Sequence, residues 1–144
     1  MTAISIDILI PRPRQIVWEE LRHIDRHVHW MSDAVSIDFQ SQQHEGVGTT
    51  FDCLTKVGPF KTKDVMSVTR WDDAVAIGVT HHGLFTGHGE FLLADEGTDT
   101  RMTWRENLVF PWWFAGSLGA FVARPLLCLI WKKNLSGLAR LLIS

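Results

Sequence analysis

The start of the chain alternates between apolar and polar side chains. Isoleucines occupy every second position from Ile4 to Ile10, with Ser5 and Asp7 between them. A period of two is typical of a strand that buries one face. Pro11 and Pro13 then end the strand.

The spacing changes to three and four residues after Pro13, which can begin a helix. The segment RQIVWEELRHI places its apolar side chains on one side and its charged side chains on the other, which predicts a short amphipathic helix. The next segment, HVHWMSDA, predicts a second short helix or a turn. The residues expected to face inward here are Val17, Trp18, Leu21, Ile24, Trp30 and Met31.

From residue 35 to residue 108 the period returns to two, in six segments separated by turns. The turn signals include QSQQHEGVG, Gly58-Pro59, Asp72-Asp73 and DEGTDT. Short turns between neighbouring strands give an antiparallel meander. With the first strand, the pattern predicts a seven-stranded antiparallel sheet with one apolar face.

The longest apolar stretch of the chain runs from Phe110 to Leu142 and predicts one helix of roughly 50 Å. Pro111 fits its first turn, and Pro125 should kink it. Before Trp131 the helix is apolar nearly all round, so it should be covered on several sides. It is also the one predicted element able to cover the sheet. The predicted inward stripe is Phe114, Leu118, Phe121, Pro125, Cys128, Trp131, Leu135, Leu138 and Leu142.

Composition points to one globular domain over residues 1–144, with 46% hydrophobic and 21% charged residues. A net charge of −2 gives no reason to expect a nucleic-acid partner. Seven Trp and eight Phe, without Tyr, favour a large apolar interior or an apolar ligand site.

Cys53 and Cys128 lack metal-binding spacing, so we expect free thiols in a reducing cytosol, and no metal or cofactor is predicted. The first residues lack a basic start followed by a long apolar run, so we do not expect a secretory signal. The sequence does not distinguish a monomer from a dimer.

Several segments, in this order, resemble the START-related helix-grip superfamily (SRPBCC), in its polyketide cyclase/dehydrase and lipid transport branch. They are PRQIVWEELRHIDRHVHWM, GVGTTF, VTRWDD, GHGEFLL and GTDTRMTWRENL. The resemblance covers nearly the whole chain. It departs at His23, where relatives often have Asp, and at the Trp-rich segment that precedes the long helix.

The resemblance implies an α+β helix-grip fold, in which a curved antiparallel sheet wraps a long C-terminal helix around an apolar cavity. It implies a carrier or ligand-binding protein for a hydrophobic small molecule such as a lipid, isoprenoid or polyketide. The alternative is a cyclase or dehydratase acting on a polyketide-like substrate. The residues expected to line the cavity are Phe51, Cys53, Met66, Val68, Ile77, Val79, Phe91, Met102, Trp104, Phe114, Leu118, Phe121 and Val122.

Three polar residues share the apolar faces of predicted strands, namely Asp64, His81 and Glu106. A buried carboxylate needs a partner, a shifted pKa or a ligand, so these residues are candidates for binding a polar head or for acid–base catalysis. Exposure at strand ends or an outward register is the preferred interpretation for each of them, because a register change of one residue would turn all three to solvent.

His23, His27 and His29 lack a supporting third ligand in sequence, and a surface cluster is the preferred interpretation. Arg124 either extends to the surface or pairs with a carboxylate such as Glu106, and the first is favoured.

The segment from Leu108 to Trp131 is long enough to span a membrane, but Arg124, Pro125 and the sheet it would leave uncovered argue against that. Peripheral membrane contact through Trp112 and Trp113 is the preferred form of any membrane interaction. The predicted location is therefore cytoplasmic, with or without contact at a membrane surface.

Overall fold

The computed structural model of the chain describes residues 2–110 and 116–144. Every strand and helix predicted from periodicity in these residues is confirmed, with boundaries shifted by a few residues. The elements are β1 (Thr2–Ile10), α1 (Arg14–Leu21), a 3₁₀ helix (Ile24–His29), β2 (Ala34–Phe39), β3 (Thr50–Val57), β4 (Phe60–Asp72), β5 (Ala76–His82), β6 (Thr86–Glu96), β7 (Asp99–Val109) and α2 (Gly116–Ile143).

The strands form one antiparallel sheet in the order β1-β7-β6-β5-β4-β3-β2. From β2 to β7 each strand pairs with its neighbour in sequence, as short turns require. β1 crosses to the far edge and pairs with β7, which sets Ile4 opposite Glu106. The predicted seven-stranded helix-grip architecture is confirmed.

The apolar residues inside the sheet divide into two clusters. The larger one joins β1, β5, β6 and β7 to α1 and α2. The smaller one lies under β2, β3 and β4 and includes Ile24, Phe51, Cys53 and Val68. No residue of α2 packs against this second cluster in the described part of the chain. The long helix therefore covers one side of the sheet more closely than the other.

The C-terminal half of α2 is anchored by buried side chains. Leu135 and Leu138 are fully buried, and Trp131 is nearly so. Burying each such side chain stabilises the fold by about 1.5–3 kcal/mol. Asn134 adds polar anchoring: its Oδ1 accepts from the Ser32 amide at 2.8 Å, and its Nδ2 donates to Asp33 at 2.7 Å.

The N-terminal half of α2 contradicts two predictions. Phe121 and Val122 were expected to line the cavity, but they are 78% and 69% exposed. Ala123 and Leu127 pack on the core instead, together with Cys128 of the predicted stripe. A helix that is apolar all round does not reveal which side faces the sheet, and this ambiguity produced the error. Pro125, also placed in the inward stripe, is exposed.

Other predictions for the long helix fall on residues that are not described. The predicted helix start at Pro111, the tryptophans Trp112 and Trp113, and the lining residue Phe114 lie outside the described residues. The side chain of Leu118 is likewise not described. Among the helices that the structure describes, none is both long and apolar enough to cross a membrane.

Candidate functional site

Asp64, His81 and Glu106 come together on the concave face of the sheet. All three are less than a tenth exposed, so the preferred interpretation of solvent exposure is wrong for each of them. Asp64 lies on β4, His81 on β5 and Glu106 on β7. We call these three residues the polar end of this face.

Glu106 is the centre of a buried hydrogen-bond network. The Nε2 atom of His81 lies 2.9 Å from Glu106 Oε2, and the indole N–H of Trp104 donates to Glu106 Oε1 at 3.0 Å. A carboxylate only accepts, so His81 contributes its Nε2–H to this bond. Both oxygens of Glu106 are thus occupied, and the carboxylate is held in one orientation.

A glycine makes this pair possible, because β6 separates His81 from Glu106. Gly89 of β6 stands opposite Glu106, and Gly87 stands opposite His81. A Cβ atom at Gly89 would collide with the Glu106 carboxylate, whereas one at Gly87 would collide with the main chain of Asn107. The absence of a side chain at Gly89 leaves a gap through which two non-adjacent strands form a hydrogen bond.

The charges at the polar end favour a protonated imidazole. Burial lowers the pKa of His81, but the hydrogen bond and charge of Glu106, together with the charge of Asp64, outweigh it and raise this pKa above its ordinary value. Burial raises the pKa of Asp64, although the charge of His81 and the main-chain N–H of Leu84 oppose the rise. The two residues therefore affect each other's protonation.

Asp64 has an unused hydrogen-bonding atom. Its Oδ1 is buried, and no described residue donates to it. Gly83 allows the carboxylate to lie close to the main chain, because a Cβ there would collide with Oδ1. An orphan buried carboxylate oxygen is costly, by about 1–3 kcal/mol, unless something donates to it. The Oδ1 atom of Asp64 therefore needs a hydrogen-bond donor that the described residues do not supply.

Next to the polar end, aromatic rings fill the concave face, and we call this region the aromatic end. Trp104 stacks on Trp131 of α2 with ring centroids 4.8 Å apart, and Phe91 meets the edge of Trp104 at 5.0 Å. Trp30 and His27 pack on Phe91, both at 5.8 Å. Phe91 and Trp104 were predicted to line a cavity, but here they belong to a packed core.

The remaining predicted lining residues fall into separate environments. Met66 and Val79 face the concave side and are only partly buried, next to the polar end. Met66 stands directly opposite His81 in the register of β4 and β5. The fully packed members of the predicted set are Phe51, Cys53, Val68, Ile77 and Met102.

His27 corrects the prediction of a histidine surface cluster. It is buried, and its Nε2–H donates to the carbonyl of Leu21 at 2.7 Å. Burial without a carboxylate lowers its pKa to about 4, so the ring is neutral near pH 7. His23 and His29 are exposed, as expected. In the described residues, no three His, Cys, Asp or Glu side chains are grouped in a way that could hold a metal ion.

The two cysteines are free thiols. Burial raises the pKa of Cys53 to about 11, which keeps it protonated and unreactive at neutral pH. Arg124 is exposed and does not pair with Glu106, whose oxygens are bound by His81 and Trp104. This agrees with the favoured interpretation of Arg124.

Two open clefts mark the outer surface, and neither contains a predicted site residue. One, of about 570 Å³, is lined by polar residues including Arg22, Asp25 and Glu45. The other, of about 400 Å³, lies between the 3₁₀ helix and the C-terminal half of α2. Their location away from the polar end gives them no part in the site described here.

The glycines of β6 are the site residues that sequence reasoning missed. Gly87 and Gly89 lie inside β6, and neither was among the predicted site residues. An inward position without a side chain, flanked by strands with inward polar residues, would have been the signal.

Comparisons with known proteins place the chain by its fold alone. No family model and no curated protein matches the sequence. The solved structure of TTHA0849 from Thermus thermophilus covers 99% of this chain and 97% of its own, at 16% identity and a TM-score of 0.83. CV1439 from Chromobacterium violaceum covers 100% and 99%, at 13% identity and a TM-score of 0.71.

Two further solved structures share the same architecture. Ara h 8.0201 covers 99% of this chain and 98% of its own, at 10% identity and a TM-score of 0.70. Ginseng major latex-like protein 151 from Panax ginseng covers 74% and 78%, at 9% identity and a TM-score of 0.65. The chain therefore shares the helix-grip fold of these structures.

Proposed function

We propose that the protein binds a hydrophobic small molecule between the sheet and the N-terminal half of α2, as a carrier or ligand-binding protein. The apolar body of a lipid, isoprenoid or polyketide-like molecule would lie against Met66 and Val79. Its polar group would meet the polar end. The observation that carries the proposal is the buried, unpartnered Oδ1 of Asp64 beside the His81–Glu106 pair, on a face that is otherwise apolar.

The position of the proposed site follows from the packing of α2. The aromatic end is occupied by the stacked Trp104 and Trp131, which leaves no unfilled contact there for a ligand. The second apolar cluster receives no described residue of α2, and Met66 and Val79 on its border are only partly buried. A guest that covers these side chains would gain about 25 cal/mol for each Å² of apolar surface it removes from water.

The first test asks whether the purified protein carries or takes up an apolar molecule. We expect native mass spectrometry to detect a co-purified species, or the fluorescent probe 1-anilinonaphthalene-8-sulfonate to bind and be displaced by long-chain alcohols. If neither happens, and no compound in a broad apolar panel raises the melting temperature, the proposal is wrong.

A matched pair of substitutions then locates the site. Met66→Trp would fill the concave side opposite His81, whereas Val65→Trp adds the same bulk to the outward face of the same strand. We expect Met66→Trp to weaken probe binding by about tenfold or more, equivalent to about 1.4 kcal/mol, and Val65→Trp to leave it unchanged. Equal effects would place the ligand elsewhere.

The alternative function is a cyclase or dehydratase of a polyketide-like substrate. The specific observation in its favour is a buried histidine with a raised pKa in contact with Glu106 and electrostatically coupled to Asp64. His81 would donate a proton and Asp64 would accept one. If so, Asp64→Asn and His81→Gln should lower kcat on such a substrate by 10²–10⁴, roughly the contribution of one acid–base residue, with little change in substrate binding. Unchanged turnover would leave only the binding role.

Peripheral membrane contact through Trp112 and Trp113 remains part of the proposal, as does a cytoplasmic location. An apolar ligand that is collected from a membrane would favour such contact. Trp112→Ala/Trp113→Ala should reduce flotation with liposomes, and wild-type behaviour would exclude a docking role for the pair.

A further inference from the structure

The outward face of α2 begins with a group of exposed apolar side chains. Phe121, Val122, Leu126 and Leu129 are 78%, 69%, 50% and 68% exposed. Their spacing keeps them on one side of the helix over successive turns. Large apolar side chains that are grouped and exposed mark interaction surfaces, unlike single exposed residues.

The same face becomes cationic towards the C-terminus. Lys132, Lys133 and Arg140 are exposed, on the side opposite the buried Trp131 and Leu138. With Arg124, the helix carries four basic residues and no Asp or Glu, although the whole chain has a net charge of −2. The helix therefore combines a group of exposed apolar side chains with basic side chains and carries no acidic residue.

These four cations have no acidic partner in the described residues, which sets them apart from the other basic residues. Seven of the remaining ten form salt bridges with Asp or Glu. The seven are Arg14, Arg22, Arg26, Lys63, Arg70, Arg101 and Arg105. The basic side chains of α2 are therefore available to an anion outside the molecule.

We propose that this face of α2 docks on an anionic lipid surface. Phe121, Val122, Leu126 and Leu129 would enter the boundary between headgroups and acyl chains, and the lysines and arginines would contact lipid phosphates. A second copy of the chain is a poorer occupant, because a two-fold interface would bring this acid-free face against itself. The proposal concerns the helix surface alone and does not depend on ligand binding inside the fold.

Flotation of the purified full chain with phosphatidylcholine vesicles, with and without phosphatidylserine, tests the proposal without any added ligand. We expect binding to the vesicles that contain phosphatidylserine, weaker binding to the neutral ones, and release in high salt. Phe121→Gln/Leu129→Gln should weaken binding by about tenfold or more, since each removed side chain contributes apolar burial. Lys132→Gln/Lys133→Gln should remove the preference for phosphatidylserine.

Matched controls come from the turn between β3 and β4, which also exposes apolar and basic residues. Phe60 is 68% exposed, the same as Leu129, and Lys56 and Lys61 are exposed lysines. Phe60→Gln and Lys56→Gln/Lys61→Gln should bind vesicles like the unaltered protein.

Loss of binding in these controls, or no vesicle binding at all, would overturn the proposal. So would sedimentation of a dimer that becomes a monomer in Phe121→Gln/Leu129→Gln, because that result would assign the face to a second copy. Circular dichroism and thermal unfolding of each variant ensure that the protein compared is folded.

Discussion

Two buried histidines, one at the aromatic end and one at the polar end of the concave face, have opposite properties. His27 at the aromatic end donates to a carbonyl and is surrounded by rings, and its pKa is lowered to about 4. His81 at the polar end meets a carboxylate, and its pKa is raised despite burial. Burial alone therefore does not decide the charge of a histidine here; the nature of its partner does.

The difference extends to the helix above each end. The C-terminal half of α2 packs tightly over the aromatic end through Trp131, Leu135 and Leu138. The N-terminal half comes after β7, the strand that carries Glu106 near its end. In this half the side chains of Phe121 and Val122 are exposed. We interpret the aromatic end as the part that holds the fold together, whereas the polar end is the part to which we assign the proposed ligand.

The largest expected effect is a difference in stability between substitutions in the two halves of α2. Leu138→Ala removes a fully buried side chain and should lower the free energy of unfolding by about 2–5 kcal/mol. Leu129→Ala makes the same change at an exposed position and should alter it by less than about 0.5 kcal/mol. Urea unfolding followed by tryptophan fluorescence measures both. Equal losses would contradict the division of the helix.

The next effect is a dependence of the free energy of unfolding on pH, and it comes from His27. In the unfolded chain this histidine binds a proton below about pH 6.5, whereas in the folded protein it does so only below about pH 4. The folded state therefore loses stability as pH falls through this interval, by about 3 kcal/mol in all. His27→Gln keeps a donor for Leu21 and should flatten this part of the curve of stability against pH.

The exposed His29 provides the control for that measurement. His29→Gln should leave the acid dependence as it is in the unaltered protein. His81 acts in the other direction: because its folded pKa is raised, its stabilisation is present below about pH 6.5 and is lost as pH rises through the folded value. A curve without any acid-side loss would contradict the burial of a neutral His27.

A smaller effect is expected from filling the gap in β6. A Cβ at Gly89 would displace the Glu106 carboxylate, a flexible group that can move only by leaving His81 and Trp104. Gly89→Ala should cost about 1–3 kcal/mol and lower the pKa of His81. The imidazole proton shifts of His81 in an NMR titration report the pKa. His88→Ala, at the exposed neighbouring position, is the control and should leave the titration unchanged.

The sequence predicted the order of elements because each strand and helix keeps a regular period of apolar residues. It also selected Asp64, His81 and Glu106, since polar residues on apolar faces stand out in such a pattern. It could not place them together, because His81 and Glu106 meet across an intervening strand. That contact depends on the register of three strands and on the missing side chain at Gly89.

The buried side of α2 could be predicted only where polar residues mark the opposite side of the helix. Near Leu135 and Leu138 polar residues mark the outer side of the helix, so the buried side was identified correctly. Around Phe121 and Val122 no polar side is defined, and the choice of face was wrong. His27 was wrongly assigned to a surface cluster, because its sequence neighbours give no indication that its ring is buried.

The hydrogen bond across β6 joins strands that are not neighbours, and it exists only while the sheet is curved enough to bring their side chains together. Flattening of the sheet would stretch the bond between His81 and Glu106 before any main-chain pairing was lost. The imidazole of His81 is thus a built-in reporter of sheet shape, and its resonance would register a change in the curvature of the sheet.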